Sequence, residues 1–251
     1  MLDRLRLGCH ADAARPPFLP PAEGIKRLKI VDLTLPLPPG LKTNPTHPET
    51  IITDHVTHWF TAPRYQSPCK GYASKLLLIC DHIGTHLDAP LHFIPGGKSM
   101  DAVPLENTLG EAIFLDLSDK PADQPVTVEL LETKLAAKGD QIKPGDIVLL
   151  RTWPGKWGDA IFKAAGISWP AAKWLCARKI KSVGLDLPNA DTGGDMQRPC
   201  HMELLGNEIG IIENLVNLDK LTKTRFFFIG LPLHFIGLTA SPIRAIAVEE
   251  W

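Results

Sequence analysis

The sequence predicts a mixed α/β or α+β fold, with a mixed sheet of many short strands and a few helices. Three observations favour this fold class. Short apolar runs recur along the chain and are separated by turns rich in Gly or Pro, which is typical of short strands. Few segments combine helical periodicity with a capping residue. Strands and helices show no long regular alternation, so a doubly wound sheet or a β/α barrel is less favoured.

The predicted strands follow one another over most of the chain. Residues 28–35 open the fold and lead into a Pro-rich turn, and residues 51–60 alternate as a half-exposed strand does. Residues 75–80 and 147–151 are short apolar runs, so both are predicted as buried strands. The other predicted strands are residues 112–117, 182–187, 209–215, 225–229 and 242–248.

Three segments are predicted to be helical. Residues 128–138 follow Thr127, and residues 168–179 begin at Ser168. Both hydroxyl side chains suit an N-cap, because they can accept a hydrogen bond from a free N–H of the first turn. Residues 201–207 form a third, shorter helix after a proline.

Length and composition predict one domain with a separate N-terminal arm. The chain has 251 residues, of which 44% are hydrophobic, and its formal net charge is -1. We expect a poorly ordered or partner-bound arm over residues 1–25 and a single domain over residues 26–251. The balanced charge indicates no nucleic-acid partner, and it permits self-association.

The cysteines and the apolar segments predict a cytoplasmic protein with no membrane span. The five cysteines are widely spaced and include no CxxC pair, which favours free thiols in a reducing compartment. The N-terminus lacks the apolar run of a signal peptide. Residues 226–243 are uncharged, but two Gly and two Pro residues interrupt them, which favours strands and turns over a membrane helix.

The densest group of chemically active side chains lies in one short segment. Three of the nine histidines, His82, His86 and His92, lie there with Asp88. Gly84 and a nearby proline disfavour a regular helix, so a turn or an irregular loop is expected. Imidazole and carboxylate groups are ligands that Zn²⁺ and Mn²⁺ accept, and three protein ligands leave a coordination position open for a water molecule. This arrangement is typical of a catalytic metal site.

The segment HIGTHLDAPLH matches the pattern H-x-G-T-H-x-D-x-P-x-H at every fixed position. With this motif the chain resembles the cyclase-like metal-dependent hydrolase family, whose members include bacterial kynurenine formamidases and isatin hydrolases. Further matching segments extend the resemblance over most of the chain. They are residues 31–35, 149–152, 184–188, 201–205, 212–215 and 241–245.

The resemblance implies a fold, an assembly and a ligand set. The family fold is a swivelling β/β/α-type domain, and its members form homodimers or homotetramers. By the motif match, His82, His86 and Asp88 would bind a first divalent metal, Zn or Mn. Asp88 would also reach a second metal held by His201 and Glu213. Some relatives carry Gln in place of this Glu and hold a single metal, so the Glu favours two metals over one per chain.

The chemistry of the two carboxylates supports these roles independently. A carboxylate such as that of Asp88 can bridge two cations, whereas a histidine cannot. Glu213 lies in an apolar run, where an unpaired buried carboxylate would be costly. A metal partner would offset that cost.

The resemblance also implies amide hydrolysis. His92 would handle the protons of the attacking water and of the leaving group, since an imidazole titrates near neutral pH. The leading hypothesis is a metal-dependent amidohydrolase that cleaves an amide-type C–N bond of a small molecule, either an aryl formamide such as N-formylkynurenine or a cyclic amide such as isatin. The alternatives are a metal-dependent cyclase or dehydratase acting on a polyketide-like intermediate, and a metal-binding protein without turnover.

Other histidines and aromatic residues are weaker candidates. His47, His55 and His58 are predicted to lie on the surface or to line a pocket rather than to bind metal. Trp153 and Trp157 could form walls of a substrate pocket, although a place in the core or in a subunit interface suits each of them better.

Overall fold

The computed structural model describes residues 28–250, and a nine-stranded sheet runs through them. The expected N-terminal arm, residues 1–25, lies outside the described residues. The strands are β1 (Lys29–Asp32), β2 (Ile51–Val56), β3 (Ser74–Leu78), β4 (His86–Asp88), β5 (Leu109–Asp116), β6 (Ile147–Arg151), β7 (Ser182–Leu185), β8 (Gly210–Glu213), β9 (Arg225–Ile229), β10 (Ala240–Pro242) and β11 (Ile246–Glu250). The helices are α1 (His58–Thr61), α2 (Val128–Lys138), α3 (Trp169–Ala177) and α4 (Pro199–Gly206).

The sheet is mixed, as the sequence predicts. Its strand order is β1-β11-β9-β5-β6-β7-β8-β4-β10. Strands β5 to β8 are parallel, and the flanking strands pair antiparallel. Helices α2, α3 and α4 lie in the three connections between the parallel strands, because such strands need long crossovers. Strands and helices thus alternate from β5 to β8, which differs from the expectation of no long alternation. The antiparallel strands on both sides make the sheet mixed rather than fully parallel.

The core is divided between the two faces of this sheet. Alternate residues of a strand point to opposite faces, and β5 shows this clearly. Ile113 and Leu115 pack into the cluster that helices α2, α3 and α4 cover. Ala112 and Phe114 pack into the cluster on the other face. Strands buried on both faces explain the continuous apolar runs in the sequence.

The starts of the two longer helices agree with the predicted caps. The Thr127 hydroxyl accepts the N–H of Leu130 at 3.3 Å, and the Ser168 hydroxyl accepts the N–H of Ala171 at 3.3 Å. Helix α2 ends at Gly139, whose φ of 61° is the left-handed conformation that glycine adopts readily. These local signals therefore act in the fold as the sequence predicts.

The predicted strand over residues 75–80 is present as β3, but the prediction that it is buried is wrong. Strand β3 pairs only with β2, and the two form a separate two-stranded sheet. Leu76, Leu77 and Leu78 are 55%, 65% and 62% exposed. An apolar run by itself predicts that a segment will be covered, but not by which surface. We call this two-stranded sheet, residues 51–56 and 74–78, the arm. It is distinct from the N-terminal arm of residues 1–25.

The predicted final strand, residues 242–248, is divided in two. Strand β10 pairs with β4, whereas β11 pairs with β9 and β1 at the other side of the sheet. The chain passes between them through residues 243–245, where the Arg244 guanidinium binds Asp32 at 2.6 Å. Within residues 28–250, no helix is long and apolar enough to cross a membrane.

Candidate metal centre

Strand β4 carries the histidine-rich motif into the sheet. His86 and Asp88 lie on β4, which is hydrogen-bonded to β8 on one side and to β10 on the other. His82 precedes β4 in a turn, and His92 ends the short 3-10 turn that follows it. The expected irregular loop is therefore a turn, a three-residue strand and a second turn.

Gly84 shapes the first of these turns. Its φ is +64°, and a Cβ at this position would lie 2.4 Å from Leu37 Cδ2. The Gly84 carbonyl oxygen accepts hydrogen bonds from His86 Nδ1 at 2.8 Å and from Asn214 Nδ2 at 3.0 Å. The glycine of the motif thus allows the turn and also orients a histidine.

Helix α4 and strand β8 bring the remaining predicted ligands to the motif. Helix α4 presents His201, and β8 presents Glu213 directly opposite His86 in the antiparallel register. His201 Nε2 lies 3.4 Å from Glu213 Oε1 and 3.7 Å from Asp88 Oδ2. His86 Nε2 lies 3.6 Å from Glu213 Oε2. The structure thus brings the predicted ligands into one buried cluster.

Three imidazoles of the cluster are each oriented by a hydrogen bond at one ring nitrogen. The contacts are His82 Nε2 to Thr239 Oγ1 at 3.0 Å, His86 Nδ1 to the Gly84 carbonyl oxygen at 2.8 Å, and His201 Nδ1 to Asp191 Oδ2 at 2.5 Å. The other nitrogen of each ring faces Asp88, at 2.8 Å for His82 Nδ1, 3.3 Å for His86 Nε2 and 3.7 Å for His201 Nε2. Metal-binding histidines are typically held in this way, because the second hydrogen bond fixes the tautomer.

Asp88 provides the test of whether a cation fits. Its side chain is 1% exposed, and neither carboxylate oxygen has a hydrogen-bond partner of good geometry in the described part of the chain. An unsatisfied buried polar group costs about 1–3 kcal/mol, and a charged one costs more. Two groups of potential ligand atoms share Asp88: one has His82 and His92, and the other has His86 and Glu213. The donor set around Asp88 therefore fits a divalent cation.

The electrostatics of the cluster favour positive charge at this place. Burial raises the pKa of the Asp88 carboxyl, but the neighbouring imidazoles, led by His86, outweigh burial and hold that pKa well below its usual range. Burial lowers the pKa of His86, yet Asp88 and Glu213 raise it to about 9. Burial likewise opposes the charge on His201, whose pKa is nevertheless raised, mainly by Asp191. A bound cation would replace the protons that these carboxylates retain on the imidazoles.

His92 differs from the other histidines of the motif. Its ring lies 4.0 Å from the tilted His82 ring and 4.4 Å from the Phe93 ring, which it meets edge to face, measured between centroids. Burial lowers its pKa to about 4, and the charges of His82 and His201 act in the same direction against the attraction of Asp88. A neutral imidazole at this position can accept a proton.

Two residues that orient the histidines lie outside the sequence motif. Asp191 binds His201 Nδ1 and also accepts the backbone N–H of Cys200 at 2.7 Å, so it holds the first turn of α4. Thr239 links His82 to Asp81, whose carboxylate accepts the Thr239 hydroxyl at 2.8 Å. Neither residue has a local signal, because its role depends on a contact made by a distant part of the chain.

The weaker candidates of the sequence separate into two groups. His47 lines the cavity above the cluster, together with His82, whose ring centroid is 6.0 Å away. His55 and His58 are exposed on or next to the arm. Trp153 and Trp157 are absent from the described lining of this cavity, and both pack against the core beneath the helices.

Comparisons with known proteins decide the family. A family profile described as putative cyclase matches residues 31–192. The chain belongs to the cyclase family. A kynurenine formamidase of Bordetella petrii is 31% identical to this cyclase-family chain over 219 residues, which are 84% of this chain and 95% of that protein. The family resemblance predicted from the motif is confirmed.

Solved structures agree with the cyclase-family fold. Isatin hydrolase A from Labrenzia aggregata, bound to benzyl benzoate, has a TM-score of 0.76 and 25% identity, with 89% of this chain and 94% of that chain covered. Isatin hydrolase A from Ralstonia solanacearum has a TM-score of 0.73 and 28% identity, with 89% and 92% covered. With the formamidase, these relatives indicate a hydrolase that acts on C–N bonds other than peptide bonds, which is the predicted enzyme class.

Proposed function

We propose that this protein is a metal-dependent amidohydrolase that cleaves an aryl formamide such as N-formylkynurenine or a cyclic amide such as isatin. The observation that carries the proposal is the buried carboxylate of Asp88, whose oxygens have no well-aligned hydrogen bond although three oriented histidines face them. A divalent cation, Zn²⁺ or Mn²⁺, when bound there supplies Lewis acidity that polarises the amide carbonyl and lowers the pKa of a water molecule. Relatives named kynurenine formamidase and isatin hydrolase support the two substrate types.

The protein's own side chains have distinct parts in this proposal. The carboxylates of Asp88 and Glu213 supply the negative charge that balances one or two cations. His82, His86 and His201 would hold the cations. Because their rings are already oriented, these ligands need little reorganisation during the reaction. The remaining task, proton transfer, belongs to His92, which takes a proton from the attacking water and donates one to the leaving nitrogen.

The first test is the number of metals per chain. Elemental analysis of protein purified without chelator, before and after adding Zn²⁺ or Mn²⁺, should give a ratio near two for the wild type. Glu213→Gln should lower the ratio toward one, because it removes a charged ligand. No binding by the wild type would contradict the proposal. A wild-type ratio near one would remove His201 and Glu213 from the ligand set.

The second test is a substrate panel on the metal-loaded protein. N-formylkynurenine, isatin and simple esters separate formamide, cyclic amide and ester hydrolysis. We expect turnover of at least one amide, loss of turnover after treatment with a chelator, and recovery when metal is restored. Turnover that survives complete metal removal would contradict the metal-dependent mechanism.

We also propose that the protein works in the reducing environment of the cytoplasm. Cys69, Cys80, Cys176 and Cys200 are free thiols in the structure. Cys200 is buried, and its thiol donates to the Ile167 carbonyl oxygen at 2.9 Å, so it has a structural partner other than a second cysteine. Free thiols of this kind are typical of proteins from reducing compartments.

A further inference from the structure

Two buried nitrogen atoms in the wall of the cavity above the metal centre have no hydrogen-bond partner among residues 28–250. They are Nη1 of Arg198 and Nδ1 of His47. No carboxylate whose side chain the structure describes forms an ion pair with Arg198. A buried donor without a partner is unfavourable, and a guanidinium donor is more so because it is always charged. The arrangement therefore indicates an anionic partner that enters the cavity.

The backbone directs Arg198 to this position. It is the N-cap residue of α4, with φ 49° and ψ 49°, which is the left-handed region that residues other than glycine adopt infrequently. Three residues later the same segment presents His201 to the metal centre. Arg198 and His201 therefore line the same cavity, of about 170 Å³, from one short piece of chain.

Arg198 also lies at the junction with a second cavity of about 260 Å³. Asn44 and Asn189 line both cavities, and the second one adds Phe162 and Leu187 to its wall. A substrate can therefore place its reacting amide at the histidines and an apolar part in the second cavity. A substrate group that lies between the two cavities would contact the Arg198 guanidinium.

We propose that Arg198 binds a carboxylate of the substrate and so makes the enzyme selective for amides that carry a carboxylate over amides, such as isatin, that carry none. The planar guanidinium can donate two parallel hydrogen bonds to a carboxylate, which gives both affinity and orientation. His47 offers one further polar contact on the same wall. This inference rests on the proposed amide hydrolysis, and it names a substrate class for that reaction.

The test compares two formamides that differ by one carboxylate, 2-formamidobenzoate and formanilide. Arg198→Gln should lower kcat/KM for 2-formamidobenzoate by about 10- to 100-fold, mainly through KM, because a charge-assisted hydrogen bond is lost. The value for formanilide should change by less than about threefold. Arg198→Lys keeps the charge without the planar fork and should show a smaller loss.

A matched control removes a positive charge elsewhere. Lys163→Gln acts on an exposed side chain, and it should leave both formamides unaffected. Equal losses for both formamides in Arg198→Gln would place Arg198 at the reacting carbonyl and overturn the carboxylate site. Unchanged values for both would overturn it as well.

A binding experiment separates this inference from the proposed function. The probe is 2-aminobenzoate, measured by calorimetry on the folded wild-type and Arg198→Gln proteins at equal metal content. We expect the Kd of the variant to be at least about tenfold higher. If the wild type hydrolyses neither these formamides nor N-formylkynurenine nor isatin, but binds the probe through Arg198, the proposed function fails and the carboxylate site stands. If the wild type does not bind the probe, or both proteins bind it equally, the carboxylate site is wrong.

Discussion

Among single residues, the histidines of the cluster differ in how they are held. His82, His86 and His201 each have one ring nitrogen bound by a polar partner and the other directed at Asp88. His92 is positioned by contacts with the His82 and Phe93 rings instead. A ligand gains from a fixed tautomer, whereas a proton carrier must be able to exchange its proton. This difference supports the division into ligands and acid/base.

Replacing His92 by Asn tests that division. The amide fills a similar position but cannot accept a proton at neutral pH, so kcat should fall by about 10²- to 10⁴-fold. The number of metals per chain should remain that of the wild type. His55→Asn, on the exposed face of the arm, is the matched control and should leave both quantities unchanged. Loss of metal together with activity would show that His92 is a ligand.

Asp191→Asn tests the support of a ligand through its hydrogen bond. The Asn side chain has nearly the same shape but no charge, so His201 loses basicity, and metal affinity should fall by about 10- to 100-fold. Competition with a chelator measures this change. Asp195→Asn, which alters a nearby exposed turn, should not weaken metal binding. A lower melting temperature with unchanged metal affinity would restrict Asp191 to holding the first turn of α4.

Among the elements, β4, β8 and α4 meet because the sheet order places β4 beside β8, and α4 immediately precedes β8 in the chain. The antiparallel register of β4 and β8 places His86 opposite Glu213. A shift of β4 by one residue would turn His86 and Asp88 to the other face, since side chains alternate along a strand. The pairing of β4 with β8 therefore decides whether the site exists.

Strand β11 contains a pH-sensitive contact far from the metal centre. Glu249 accepts the backbone N–H groups of Thr222 and Lys223 at 2.6 and 2.8 Å and pairs with Lys29 at 2.7 Å. Burial opposes its charge, but these contacts lower its pKa from 4.5 to about 2. Because the folded pKa lies below the unfolded one, the stabilisation is present above pH 4.5 and is lost as the pH falls toward 2.

Glu249→Gln should therefore lower the free energy of unfolding at pH 7 by about 2 kcal/mol, since charge-assisted hydrogen bonds are replaced by neutral ones. The difference from the wild type should shrink as the pH falls below 4.5. Urea unfolding at several pH values measures both effects. Glu106→Gln, at an exposed position, is the control and should show no such dependence. A destabilisation that does not change with pH would contradict the assignment to the carboxylate charge.

At the scale of the whole molecule, the arm is unusual because its apolar side chains face outward. Leu76, Leu77 and Leu78 are each more than half exposed, and the adjacent Trp59 is 84% exposed. A two-stranded sheet is only marginally stable in water without a surface to pack on. We propose that a second copy of this chain covers the arm in the homodimer or homotetramer expected from the sequence, which the net charge of -1 permits.

Light scattering after size-exclusion chromatography tests this assembly. The wild type should have twice or four times the single-chain mass of 27.5 kDa. Leu77→Glu should shift the protein toward the single-chain mass, because a charge would be buried in the interface. Leu105→Glu changes a similarly exposed leucine outside the arm and should leave the mass unchanged. A wild type that runs as a single chain at working concentration would contradict the proposal.

The family, the capped helices and the candidate ligands of the motif could be predicted from the sequence alone. These features depend on residues close together in the chain, such as Thr127 with the N–H of Leu130, or on a short pattern of fixed spacing. His201 and Glu213 were reached only through the resemblance, since neither has a distinctive local pattern. The structure places both beside Asp88.

The surfaces and distant partners that these residues contact could not be predicted without the fold. The apolar run of β3 suggested burial, but it pairs in the arm and is exposed within the chain. Thr239 orients His82 across 157 residues of sequence, and Arg198 faces the same cavity from the start of α4. Local patterns record a residue's propensity and polarity. Contacts between residues far apart depend on strand order and register, which no single segment of the sequence contains.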